Sequence, residues 1–314
     1  MHKREELDIN MKLLQYALLV FLGACSYGTL SSIMKLGIGE GFSVPEIVGG
    51  QYFFGWLMLV VMTLLFSRHK LRWKQAVVLL ACGLSVSCTS ITYGLAVGEL
   101  PASIAVVFLF QFTWIGVLLE AVVTRTRPEP MKIISVIILL VGTVFAGGLA
   151  DHGLSGLSWK GAVFGMISAI SFAIYIFVSG RVATDVPILT KSLSMITGAM
   201  VVVFLMFPPA FIMDGTLVAG LWKFGLPMGL LGIIIPVIFF GIGVPKIGSG
   251  LGTILGAAEL PAAVVMSVLV LREQVTMLQW AGIVLILGGI CLPQLALVNQ
   301  KKASTREKIE RAGA

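Results

Sequence analysis

The sequence predicts an all-α membrane protein, with ten transmembrane helices arranged as two inverted five-helix repeats. Three observations carry this expectation. Of 314 residues, 58% are hydrophobic and only 12% charged, against roughly 25% charged in a soluble domain, so too little polar surface is available to cover an apolar core. The charged residues punctuate stretches that match the roughly 20 residues a helix needs to cross a bilayer. Features also recur at a constant offset of 146 residues. Strand-like alternation is absent, which argues against an outer-membrane barrel.

In chain order the stretches are Leu13 to Met34, Val48 to Phe66, Gln75 to Gly98, Pro101 to Ala121, Ile133 to Gly148, Gly161 to Ser179, Leu193 to Ile212, Phe224 to Gly243, Gly250 to Leu271 and Met277 to Val298. They divide the chain into an N-terminal segment (1–12), a first copy (13–148), an external connection (149–160), a second copy (161–298) and a basic tail (299–314). Lys and Arg collect on the cytoplasmic side of membrane proteins. Ten spans put both termini on one face, and that face carries 18 of the basic residues; the other has only Lys35, Lys160, Lys223 and Arg272. Both termini are therefore expected in the cytoplasm, and the site of action is the cell (plasma) membrane. Basic loops beside anionic lipid headgroups account for the net charge of +7, so no nucleic-acid partner is expected. Homo-oligomerisation is left open.

The four cysteines, Cys25, Cys82, Cys88 and Cys291, lie inside apolar stretches and form no disulfide framework. Leu22-Gly23-Ala24-Cys25 after a basic start has the look of a lipoprotein signal, but the apolar run continues past Cys25 to Met34, as a span would.

The offset of 146 lays Tyr27 to Leu36 on Ala173 to Val182, with Lys35 meeting Arg181 at the same helix end, and lays Met131 to Gly142 on Met277 to Gly288. Apolar helices resemble one another by composition alone; a constant offset at both ends of the unit argues for a true repeat. Five spans per copy is odd, so the copies must cross in opposite senses, a device of secondary transporters.

The second copy closes on the run Gly252 to Gly282, which has a mid-span Pro261, a short loop carrying Glu273 and Thr276, and a Gly-rich last helix. This pattern resembles the EamA repeat of the drug/metabolite transporter superfamily. The resemblance spans both halves, although the first copy departs from it with Thr126-Arg127-Pro128-Glu129-Pro130 in the corresponding loop. It implies ten helices, cytoplasmic termini, a central cavity between the halves and export or exchange of small metabolites, often amino acids.

The inventory excludes several enzyme classes. His2, His69 and His152 lie in loops and no Asp lies well inside a span, so zinc-protease, Ser/His and aspartyl sites cannot be assembled. No catalytic residue, metal or cofactor is expected. Gly248-Ser249-Gly250-Leu251-Gly252 completes no phosphate-binding pattern, and Gly94 with Gly98, Gly225 with Gly229, and Gly252 with Gly256 have the small-xxx-small spacing of close helix packing.

Polar groups inside spans are costly and so attract functional interest. Glu259, the one mid-span carboxylate, can carry a proton or meet a cationic amine, or be protonated and bonded to another helix. Pro261 removes a backbone donor and frees the carbonyl near Ala257, which should open the helix beside that carboxylate. In the fourth span Ser103, Val107, Gln111 and Trp114 share a helical face, and the repeat places Ser103 on Ser249 and Thr113 on Glu259. Gln111 can read a polar substrate group and Trp114 can offer an aromatic face; interhelical bonding and packing are the alternatives. Glu120, close to Arg125, reads as hydrated or ion-paired. Tyr93 beside Ser85, Cys88, Thr89 and Thr92, Tyr175 with Ser168, Ser171 and Ser179, and Tyr27 with Ser31 form further polar faces, whose hydroxyls can equally satisfy their own helix carbonyls. Gln51 can gate or snorkel. The expected function is a secondary transporter of a small-molecule substrate, amino acids or related amines, working by alternating access; the other reading is a ligand-binding membrane sensor without transport.

Overall fold

The computed structural model describes residues 2–67, 69, 71–100, 102–148 and 158–293, and all regular elements among them are helical. They are α1 (His2–Gly28), α2 (Leu30–Gly39), α3 (Val44–Phe66), α4 (Trp73–Glu99), α5 (Ala102–Leu109), α6 (Phe112–Thr124), α7 (Pro130–Ala146), α8 (Trp159–Arg181) and α9 (Ile188–Met206), then α10 (Leu217–Ile247), α11 (Ser249–Gly256), α12 (Glu259–Met266) and α13 (Met277–Pro293). Among the described residues, eight helical segments are long and apolar enough to cross a bilayer, and α7 and α13 are shorter apolar helices. The connection 149–160 and the tail 299–314 lie mostly or wholly outside the described residues.

Local chemistry sets the ends. Ser43 caps α3 reciprocally with Glu46: its Oγ accepts from the Glu46 amide at 3.4 Å and its own amide donates to Glu46 Oε2 at 2.7 Å. Ser158 starts α8 by accepting from Gly161 N–H at 3.4 Å, while its hydroxyl donates to Glu99 Oε2 at 3.0 Å. The α9 helix ends before Pro208-Pro209.

Several boundaries differ from expectation. The first stretch is not one rod: Thr29 interrupts it, with Oγ1 donating to the Ser26 carbonyl at 2.7 Å, and α2 continues to Gly39. The seventh begins at Ile188, five residues earlier than Leu193. This takes Lys191 into the helix, 4% exposed, because its Nζ donates to the Ser179 carbonyl at the end of α8, 2.9 Å away. The eighth spans Leu217–Ile247, kinked at Gly220 (φ 143°) and with a π-helical turn at Leu230–Ile234 just ahead of Pro236, and it also carries Pro227 and Pro245.

Nearly all extensive packing joins one copy to the other, and the pairs exchange with the repeat. The first helix of each copy packs on the third and fourth of the other, so α1 meets α10, α11 and α12 while α8 meets α4, α5 and α6. Likewise α3 packs on α10 as α9 packs on α4, and α3–α9 and α6–α11 pack across the centre. The main core draws on both copies, from Val20 and Phe112 to Tyr175, Phe240 and Ile254. Facing outward are apolar side chains such as Leu64 (75% exposed), Leu205 (77%) and Val284 (68%), a surface suited to acyl chains rather than water.

Glycines permit the closest crossings. A Cβ on Gly229 would lie 2.6 Å from the Gly55 nitrogen, and one on Gly225 3.1 Å from the Gly50 carbonyl carbon. On Gly256 it would lie 3.1 Å from the Phe112 ring. Gly94 differs from its packing assignment: nothing lies within 4 Å of an added Cβ, because that face of α4 points outward. The tight crossing of α4 is instead with α9, through Gly83 and Gly198.

Candidate functional site

Two helices are interrupted mid-span at matching places in the two copies. α5 ends at Leu109 and α6 begins at Phe112; α11 ends at Gly256 and α12 begins at Glu259. In the second copy Pro261 has no N–H to give the Ala257 carbonyl. The chain there tightens into i to i−3 bonds, Ala257 N–H to Ile254 O at 3.2 Å and Ala258 N–H to Leu255 O at 3.1 Å. The break thus falls where the proline was expected to free a carbonyl.

The first copy has Ile115 where the repeat would place the proline, and breaks by another route. The Gln111 amide N–H turns to the Phe108 carbonyl at 3.2 Å, vacating that of Val107. Gln111 Nε2 then donates to the Val107 oxygen at 2.9 Å, and Gln111 Oε1 accepts from Trp114 Nε1 at 2.8 Å. A side-chain amide stands in for a backbone donor, and Trp114, 36% exposed, holds it there. Thr113, the repeat counterpart of Glu259, is 1% exposed and donates to the Phe110 carbonyl at 3.0 Å. The side chain of Ser103 lies outside the described residues.

Glu259 opens α12 half-buried, with no hydrogen bond or ion pair among the described residues. Its backbone carbonyl lies against Gly28 of α1, where any Cβ would collide. Tyr27 of α1 and Tyr93 of α4 neighbour it. Tyr175 of α8 and Tyr52 of α3 neighbour Tyr27 in turn. Tyr175 is 1% exposed and its hydroxyl lacks a well-formed hydrogen bond; Tyr52 Oη lies 3.0 Å from Ser90 Oγ. Phenylalanines complete the wall: Tyr27 meets the edge of Phe172 at 5.9 Å, Tyr175 stacks on Phe172 at 6.0 Å, and Phe112 abuts Phe172 at 4.7 Å. Both copies contribute, Tyr27, Tyr52, Tyr93 and Phe112 from one, Phe172, Tyr175 and Glu259 from the other.

Basic groups that lie at helix ends are engaged there. Lys191 caps α8, Lys132 lies 3.3 Å from Glu120 and Arg181 donates to Ser249 Oγ at 2.8 Å. Glu259 is thus a carboxylate beside tyrosine side chains with no ion pair among the described residues.

The weaker polar faces resolve into local bonding. Ser85, Thr89 and Thr92 donate to the carbonyls of Cys82, Ser85 and Cys88, and Ser168, Ser171 and Ser179 to those of Gly165, Ile167 and Ile176. Ser31 likewise donates to Gly28 at 3.3 Å. Glu120 is ion-paired, with Lys132 and not with Arg125. Gln51 is buried, its amide against Gly232, rather than snorkelling. Sequence reasoning missed Tyr52 and Lys191. The first adjoins Gln51 in a polar doublet of an otherwise apolar stretch; the second follows Pro187, which marks a helix start and would have placed it inside.

No curated protein matches the chain significantly. One solved structure, titled "Crystal structure of protein", superposes with a TM-score of 0.72 over 90% of this chain and 98% of its own, at 16% identity, a likeness of fold. The model of the EamA-like transporter family matches twice, at residues 14–148 and 159–293. With two matched repeats accounting for most of its length, this multi-pass membrane protein belongs to the EamA-like transporter family, whose members carry small solutes.

Proposed function

We propose that the protein is a secondary transporter that exports or exchanges amino acids or related amines across the cell membrane by alternating access. The observation that carries this reading is Glu259, a mid-span carboxylate of the second copy with no ion pair among the described residues, set at a helix break and neighboured by Tyr27 and Tyr93 of the first copy. Glu259 binds a proton or the cationic group of the substrate, and Tyr27, Tyr93 and Tyr175 form its aromatic surroundings. Gln111 and Trp114 hold the matching break in the first copy and reach substrate when that break opens; Ser103 lies on the same face.

Ten helices cross, five per copy in opposite senses, with both termini in the cytoplasm. The exchange of packing partners between copies and the interruptions at 110–111 and 257–258 support this arrangement. In proteoliposomes loaded with a panel of amino acids and amines, counterflow of at least one labelled member is expected. Ligand-induced thermal stabilisation without any flux would favour the sensor instead.

A further inference from the structure

The two copies touch through polar side chains at both ends of the molecule, and the repeat relates the basic member of each contact. At one end Lys35, on α2, donates to Glu273 Oε1 at 2.6 Å. At the other, Arg181 at the end of α8 donates to Ser249 Oγ, whose hydroxyl donates to Glu120 Oε1 at 3.2 Å. Lys35 and Arg181 coincide at the repeat offset of 146. Their acidic partners, Glu273 and Glu120, both lie at the end of the fourth membrane segment of the opposite copy. Those segments also finish alike: Arg125 and Arg272 take left-handed conformations with φ of 54° and 56°. Each contact therefore joins the first segment of one copy to the fourth of the other.

The geometry points to Lys35–Glu273 and Arg181–Ser249–Glu120 as the two gates of the transporter, external and cytoplasmic, which open in alternation. This assignment rests on the alternating-access reading above. The gates are unequal. Lys35 and Glu273 side chains are 53% and 44% exposed, and their hydrogen bond holds the Glu273 carboxyl below the usual carboxylate range. Glu120 and Lys132, both of the first copy, are 16% and 20% exposed and lie 3.3 Å apart, and the Glu120 carboxylate lies against Gly250 at the start of α11. Arg181 is further held 4.0 Å over the Phe177 ring. The bond that crosses between the copies at the cytoplasmic end, from Ser249 (1% exposed) to Glu120, is shielded from water, whereas water screens the exposed Lys35–Glu273 pair, so the external gate is the weaker and opens first when no substrate is bound.

The test is double electron–electron resonance on full-length protein in which Cys25, Cys82, Cys88 and Cys291 are replaced by alanine. Spin labels at Glu40 and Met277 read the external mouth, and labels at Thr126 and Thr184 the cytoplasmic mouth. Glu273→Gln is expected to lengthen the external distribution without lengthening the cytoplasmic one, and Glu120→Gln to do the reverse. Arg181→Gln, which keeps the Glu120–Lys132 pair, serves if Glu120→Gln does not fold. Exchanging the charges, Lys35→Glu with Glu273→Lys, should restore the wild-type external distribution. Unchanged distances at the substituted face, or opening of the cytoplasmic face by Glu273→Gln, overturns the assignment. The distances need no substrate, so lack of flux in the wild type would count against the transporter reading alone.

Discussion

Adding one methyl group to Gly83 should destabilise the protein, although the same change in an unobstructed helix stabilises it. A Cβ there falls 2.7 Å from the Ala199 nitrogen and closer still to the Met195 carbonyl oxygen. Comfortable contact needs roughly 3.5 Å, so α4 and α9 must part by about 1 Å. Gly198 makes the crossing tight from the other side, its Cβ position 2.9 Å from the Leu80 carbonyl carbon. Backbone on both sides cannot rotate away, which puts the cost near the top of the ~1–3 kcal/mol seen for overpacking. Replacing Gly by Ala in a helix returns about 1 kcal/mol, leaving a net loss of about 1–2 kcal/mol. On the same helix, Gly94→Ala meets nothing within 4 Å and should gain up to ~1 kcal/mol. Thermal unfolding of purified protein in detergent, followed by intrinsic fluorescence, compares the two. A Gly83→Ala melting temperature at or above that of wild type would refute the close crossing.

Gln111→Leu leaves the Val107 carbonyl and the Trp114 N–H without their present partners, at a cost of about 1–3 kcal/mol. A fall in melting temperature with altered Trp emission is expected; neither would change if Gln111 served only to contact substrate. Gly250→Ala places a methyl group on the Glu120 carboxylate and should lower the melting temperature, with rescue by Glu120→Asp, which withdraws the carboxylate by one methylene. A cytoplasmic reporter fused after Ala314 should be active and one at Asp214 should report the exterior; the opposite signals would reject the proposed topology.

Much of the architecture is legible because bilayer chemistry writes it in charge-free runs of fixed length. The break at 257–258 is legible too, since Pro261 lacks a donor at a known distance from the freed carbonyl. Its counterpart at 110–111 is not: no proline marks it, and whether Gln111 bonds its own helix, a neighbour or a substrate depends on a tertiary choice. Lys191 shows a similar limit. A basic residue near a span end reads as a loop residue until the carbonyl that satisfies it, here of Ser179 on another helix, comes into view. Spacing marked Gly94 for packing, but spacing alone does not tell which face of α4 is turned inward. For the candidate site, Glu259, Tyr27, Tyr93 and Tyr175 each stood out as polar groups in apolar surroundings. That Tyr27 and Tyr93 come beside Glu259, with Tyr175 and Tyr52 beside Tyr27, is a property of how the helices cross.

The central claim, that Glu259 works as a charge-carrying group in transport, is tested most directly by pH-dependent counterflow of amino acids and amines in proteoliposomes with wild type and Glu259→Gln. The substitution keeps the size and most of the hydrogen-bonding capacity of the side chain while removing its titration. The account predicts a wild-type flux that varies with pH and a folded Gln variant whose residual flux does not. Wild-type rates with an unaltered pH profile in the Gln variant would contradict it.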